Sequence, residues 1–357
     1  MRTRAVAREA WRNIRSGTTR TLTFTIASGA VVVSLLCADQ LAIRQIVHDA
    51  NEFRAAGAST LTLTADGGID GARCEALNSL DGVTAAGAVR SREPWLRPAA
   101  LPNSPVNLKE VTQGFPRLLT GESMQGAGIV LEAEAAETLR LKAGDTLETT
   151  SGATTVAGTF EYPDDGRRRG FGYTALIVTT DADPFDECWT DVWPAMPNLA
   201  AILLTTLRPG ASEKETKPVL GQLNSSLGST FDGQARLDAR ITRAAAPVSV
   251  VVGIVLGLLA VRLRRMELAA ALHSGLARRS LATMVGLETA SWAVPVLGLC
   301  TAVAALFAAT GNREDVLSTF VSGLLIPFAA LAGICLGTAA ALALTREKNL
   351  FRYFKDR

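Results

Sequence analysis

The chain has 357 residues, 48% hydrophobic and 20% charged, a balance too apolar for an ordinary soluble enzyme and too polar for a wholly embedded protein. Its net charge is only +2, but arginines crowd the start, the stretch after Val261 and the last dozen residues, which suits membrane orientation and argues against nucleic acid as a partner. Five cysteines without a C-x-x-C pair and two histidines, His48 and His273, are too few ligands for a zinc or redox-motif site, so no metal is expected.

In residues 1–20, Val6, Ala10, Trp11 and Ile14 recur at helical spacing with arginines on the other side. This predicts a cytoplasmic amphipathic helix lying in the inner interface. The first apolar stretch, Leu22–Leu41 within segment 21–43, follows six arginines and is about long enough to cross a bilayer, which takes ~20 residues. Its long core, with the large Leu36 before Cys37 where a cleavage site needs something small, fits an uncleaved anchor better than a signal peptide.

Residues 44–243 have soluble composition and suffice for one domain or two small ones. Ser59–Thr64 alternates with period two and reads as a strand, followed by a helix over Gly71–Ser79. A second strand, Ala200–Thr205, and a helix over Ser212–Ser226, opened by Ser212-Glu213-Lys214-Glu215, make a matching unit at the other end. Between them, about 96–183, short β runs at 128–131, 146–149, 154–158 and 175–178 are separated by Gly, Asp and Pro and predict a mostly β subdomain. Cys74 and Cys188 fall in this region and can either form a disulfide or stay as two buried thiols, since sequence supplies no distance.

Three more spans are predicted at 244–261, 287–309 and 317–344. Arg262, Arg264, Arg265, Arg278 and Arg279 sit between the second and third spans, and the tail, 345–357, is also basic. The positive-inside rule therefore makes 262–286 and both termini cytoplasmic, and the loop 310–316 external. The expected fold class is membrane α-helical, four helices with N-in/C-in topology, plus an extracytoplasmic α+β domain inserted between the first and second. Gly253-x-x-x-Gly257 and Gly333-x-x-x-Gly337 allow close helix packing without identifying a dimer.

One span, a large exterior insert and three spans resembles the permeases of MacB/FtsX-type (type VII) ABC transporters over nearly the whole chain. The most specific piece is Arg264-Arg265-Met266-Glu267-Leu268, then Gly275, Arg278-Arg279-Ser280-Leu281 and Glu288-Thr289-Ala290, similar to the family's cytoplasmic coupling segment. Ala7–Ser16 resembles its pre-membrane helix, and 128–131, 141–147 and 156–159 its periplasmic core. Leu272-His273-Ser274 departs from the pattern at one turn.

The resemblance implies a permease of the bacterial cytoplasmic membrane that is no enzyme, has no catalytic residue and binds no cofactor. ATP and Mg would be handled by a separate ABC-type ATPase subunit, in keeping with the lack of a G-x-x-x-x-G-K-[ST] loop in this sequence. Arg264, Arg265, Glu267, Leu268, Leu272, Gly275, Leu276, Arg278 and Arg279 would form the ATPase interface. The basic groups would meet acids of the partner, and Leu268, Leu272, Leu276 and Leu281 would form an apolar contact face. The plainer reading of these arginines is a loop that only sets topology. A second permease chain, homo- or heterodimeric, the lipid bilayer and an extracytoplasmic protein are the other implied partners.

Three features are set aside. Pro184–Pro194, rich in aromatics and acids, reads as a turn packing its tryptophans into the core. Gly166–Gly170 reads as a solvated hairpin tip, and Asp164-Asp165 and Asp181-x-Asp183 lack a calcium-loop pattern. Three functions remain: export or extraction of a peptide, drug or lipid-linked substrate; mechanotransmission to an extracytoplasmic cell-wall hydrolase or sensor; and an ATPase-independent membrane-anchored sensor.

Overall fold

The computed structural model describes residues 3–122, 128–211, 217–311 and 316–345. The chain divides into two units, one of residues 1–48 with 233–357 and one of residues 49–232. Helix α1 (Thr3–Arg15) is followed by α2 (Thr21–Ala55). The expected span ended at 43, but residues 44–55 contain no Gly or Pro, and the helix runs on until Gly57 adopts φ +72. There the amides of Gly57 and Ala58 bond the carbonyls of Arg54 and Phe53, a Schellman stop.

The second unit holds β1 (Thr60–Ile69), α3 (Gly71–Ala76), β2 (Val83–Leu96), β3 (Val106–Val111), α4 (Phe115–Thr120), β4 (Ile129–Glu132), α5 (Ala133–Leu139), β5 (Thr146–Thr149), β6 (Gly152–Phe160), β7 (Thr174–Val178), β8 (Phe185–Val192), α6 (Leu199–Leu204) and β9 (Val219–Gln222). They form one mixed nine-stranded sheet in the order β5-β6-β4-β7-β3-β2-β8-β1-β9. The pairs β3–β7 and β4–β6 are parallel and the others antiparallel. The expected β-rich stretch 96–183 is continuous with the rest of the unit. It supplies one half of a sheet whose ladder continues through the β2–β3 pairing, Val89 opposite Val111.

Two expected elements exchange identity. Residues 199–204 are helical because Leu199 and Leu203, four apart, are the positions buried on the core. The expected helix at 212–226 contains Pro218, which a helix interior excludes. The chain beyond it instead adds β9 to the edge of β1, with Leu63 opposite Leu220, while 212–216 lie outside the described residues.

One face of the β1–β2–β8 half buries Leu63, Ala86, Ala88 and Phe185 with Leu199 and Leu203. In that core Cys74 of α3 and Cys188 of β8, 114 residues apart and 5.9 Å between Cα atoms, form a disulfide. Phe115, Phe171 and Trp189 pack with ring centroids 4.7–5.9 Å apart on a second core. Gly87 is required beneath this cluster, since a Cβ there would lie 2.4 Å from the Phe115 amide. The 184–194 segment is thus mainly strand β8 rather than a turn, with Trp189 fully buried.

Nor is Gly166–Gly170 a free tip. Arg167 donates to the Ala55 carbonyl at 2.5 Å, and Arg168 pairs with Glu187 at 2.7 Å. Beside them the Tyr162 hydroxyl donates to the Arg168 carbonyl, and burial pushes its pKa up to about 12.

The first unit resumes with α7 (Gly233–Ala239), a 3₁₀ turn at 241–244, α8 (Ala245–Arg262), α9 (Arg265–His273), α10 (Arg278–Ala309) and α11 (Val316–Leu344). With α2, the helices from Ile241 to Arg262, α10 and α11 are long and apolar enough to cross a membrane. Residues 312–315 and 346–357 of the expected outer loop and tail lie outside the described residues.

Helices α8 and α11 run parallel with their glycine faces together. Cβ atoms placed on Gly253 and Gly257 would lie 2.3 and 2.4 Å from the Ala330 and Ile334 carbonyl oxygens. On Gly333 and Gly337 they would lie 2.2 and 2.1 Å from those of Val250 and Ile254. Ser249 adds a hydrogen bond to the Ile326 carbonyl at 3.0 Å. Two ionisable groups of α2 are engaged by other segments of this unit. Asp39 meets Arg240 at 3.1 Å, and Arg44, donating to Thr310, lies 5.1 Å over the Phe307 ring.

Candidate functional site

The amphipathic helix and the 262–286 segment meet at one end of the membrane unit. Val6 and Ala10 of α1, Val261 of α8, Leu268 of α9, Leu281, Met284 and Val285 of α10 and Ala341 of α11 form a single core. Helix α9 carries Glu267 in its first turn, where the helix dipole favours an acid. It stops at Gly275, whose φ of +90 is natural only for glycine. The amides of Gly275 and Leu276 then bond the carbonyls of Leu272 and Ala271, a second Schellman motif. Helix α10 begins directly at Arg278, nine residues before the expected span, so most of the 262–286 segment is helix.

Glu288, 4% exposed, is the polar centre. Its Oε2 accepts from Arg264 Nη1 at 2.5 Å, and its Oε1 accepts from Asn13 Nδ2 at 2.8 Å. Arg264 also reaches Glu267 through Nε at 3.0 Å. A buried carboxylate is tolerable when paired and hydrogen-bonded, and here both oxygens are engaged by groups from two other segments. The result is a brace joining α1, the start of α9 and α10. A groove of about 470 Å³ opens between these helices, with Glu9, Asn13, Glu267 and Ser280 on polar stretches of its wall and Val6 and Ala271 on apolar ones.

This geometry alters the expected interface. Leu268 and Leu281 are 2% and 3% exposed, and Leu272 and Leu276 are half-buried in the same core. These leucines are covered by the chain's own α1 and α10, so they do not form an outward apolar face. Arg264 points inward to Glu288 rather than toward a partner, and Arg265 is half-buried. Glu267, Gly275, Arg278 and Arg279 are exposed, together with Leu263 and Ala270. Asn13 was absent from the expected set. Its signal is its place at i+7 from Val6 and i+3 from Ala10, a polar residue on the buried face of α1. Among the described residues no group of three or more His, Cys, Asp or Glu converges as a metal site.

No protein-family model matches this sequence, and no curated protein matches it. Solved structures that match include the periplasmic region of MacB from Actinobacillus actinomycetemcomitans. The likeness has a TM-score of 0.35 and 11% identity, covering 48% of this chain and 91% of that one.

Proposed function

We propose that the chain is the membrane subunit of an ABC transporter of MacB/FtsX type, which docks a separate ATPase at the α9–α10 turn and carries its motion to an extracytoplasmic unit. The observation that carries this reading is the brace at Glu288. Because Arg264 and Asn13 tie α9 and α1 to α10, a load on the turn passes into a membrane-spanning helix instead of being absorbed by a loop.

Arg278 and Arg279 stand in the first turn of α10, where the helix dipole disfavours a cation by about 0.3–1 kcal/mol. Their benefit therefore lies outside the helix, with inner-leaflet phosphates or acids of an ATPase. The positive-inside rule puts this turn in the cytoplasm. A disulfide between Cys74 and Cys188 supports an oxidising compartment for the other unit. The Asp39–Arg240 and Arg264–Glu288 pairs hold buried charges against each other, which suits transmission of force better than a polar path through one chain. The work would be done outside, as export or extraction of a substrate by a pair of permease chains, or as control of a cell-wall hydrolase.

The test is co-purification from native membranes in mild detergent, comparing the intact chain with Arg278→Glu/Arg279→Glu. An ATP-binding subunit should accompany the first and be lost from the second, with both chains equally inserted. Recovery of no nucleotide-binding protein with either chain would overturn the reading.

A further inference from the structure

The globular unit contains a pocket built partly from the two segments by which the chain enters and leaves that unit, the end of α2 and residues 229–231. Its volume is about 110 Å³, and its wall includes Phe53, Leu61, Trp193, Met196, Leu199 and Phe231. The three rings touch one another, with centroids 5.8 Å apart for Phe53–Phe231 and Trp193–Phe231 and 6.4 Å for Phe53–Trp193. At the rim, Arg54 is exposed and its guanidinium lies 5.5 Å over the Trp193 ring. The stacking fixes a cation beside the apolar hole.

Size decides what such a hole can take. An apolar cavity of about 150 Å³ accommodates a benzene molecule, so this smaller one has room for one aliphatic side chain of about leucine size and not for an aromatic ring or a lipid tail. Rigid aromatic walls that desolvate one anchor are the usual form of a binding hot spot. A cation on the rim selects for negative charge next to that anchor.

We propose that this pocket seats one aliphatic side chain, leucine or methionine, of an acidic polypeptide, with a neighbouring carboxylate meeting Arg54. The pocket and its rim are sufficient for this binding, which needs neither nucleotide nor an ATPase subunit. Its failure is therefore distinguishable from failure of the permease reading.

The probe is a short peptide carrying diazirine-leucine flanked by aspartates, photolysed with the full chain in lipid nanodiscs, with attachment sites read by mass spectrometry. Attachment is expected at Met196, Phe231 and their neighbours. It should fall about fivefold with Arg54→Glu or with a lysine-flanked peptide, the size of a partly exposed ion pair. Ala195→Trp, placed at the mouth, should block it with the disulfide retained. Arg54 is exposed, so its variant keeps the test valid if Ala195→Trp does not fold. Attachment spread over the surface, indifference to the sign of the flanking charges, or displacement of the peptide by the nanodisc lipid would each overturn the proposal.

Discussion

Removing one member of the Arg264–Glu288 pair should be far more damaging than removing both. The contact of 2.5 Å sets the charge centres about 4 Å apart, worth roughly 4 kcal/mol at an effective dielectric near 20. Arg264 and Glu288 side chains are 11% and 5% exposed, so a survivor would remain in a poorly solvated site. Arg264→Ala and Glu288→Ala are each expected to lower the unfolding free energy by about 3–5 kcal/mol, the usual range for a broken buried pair. Arg264→Met/Glu288→Leu, which fills similar volume without charge, should lie within about 1 kcal/mol of the starting protein. The measurement is steric-trap unfolding of the full chain in bicelles, run as a double-mutant cycle. Single variants that each cost less than about 0.5 kcal/mol and add in the double would refute the view of Glu288 as a buried, braced carboxylate.

At the α8–α11 contact, Gly333→Ala or Gly337→Ala must push backbones apart from carbonyls 2.2 and 2.1 Å away. A loss of about 1–3 kcal/mol in the same assay is expected, and no loss would mean that the helices do not touch there. Cys74→Ala/Cys188→Ala opens a loop of 114 residues and should cost about 5 kcal/mol by chain entropy, seen as a lower urea midpoint. Tyr162 should ionise near a pKa of about 12 in an absorbance titration. Since the unfolded phenol loses its proton near pH ~10, this group's contribution to stability is complete below that pH. It declines as the pH rises through the folded value. Ionisation of Tyr162 near pH ~10 would show the phenol to be solvated.

The spanning helices were legible because a run such as Leu22–Leu41 announces itself by length and needs no partner to be recognised. Their ends were not, because α2 and α10 extend through charged residues that break no helix rule, α2 running on to Gly57 and α10 beginning just past the turn at Gly275. Short apolar runs were the least readable. Ala200–Thr205 and Val219–Gln222 differ in outcome through the core beneath one and the β1 edge beside the other, neither visible locally. The leucines of α9 teach the same lesson at the site. Amphipathic spacing shows that a face must be covered, yet the cover is a core shared with α1 and α10, and Asn13 of α1 is 275 residues from its partner Glu288.

The parallel contact of α8 and α11 also sets how the membrane unit can drift over generations. At Gly253, Gly257, Gly333 and Gly337 every substitution adds an atom where a neighbouring backbone already lies, so those positions are closed to change. Outward side chains such as Val251 and Leu325, 61% and 64% exposed, can be exchanged for other apolar types at little cost in a lipid solvent. A diverging copy of this chain could rewrite its outward apolar surface and still inherit the α8–α11 pair unaltered.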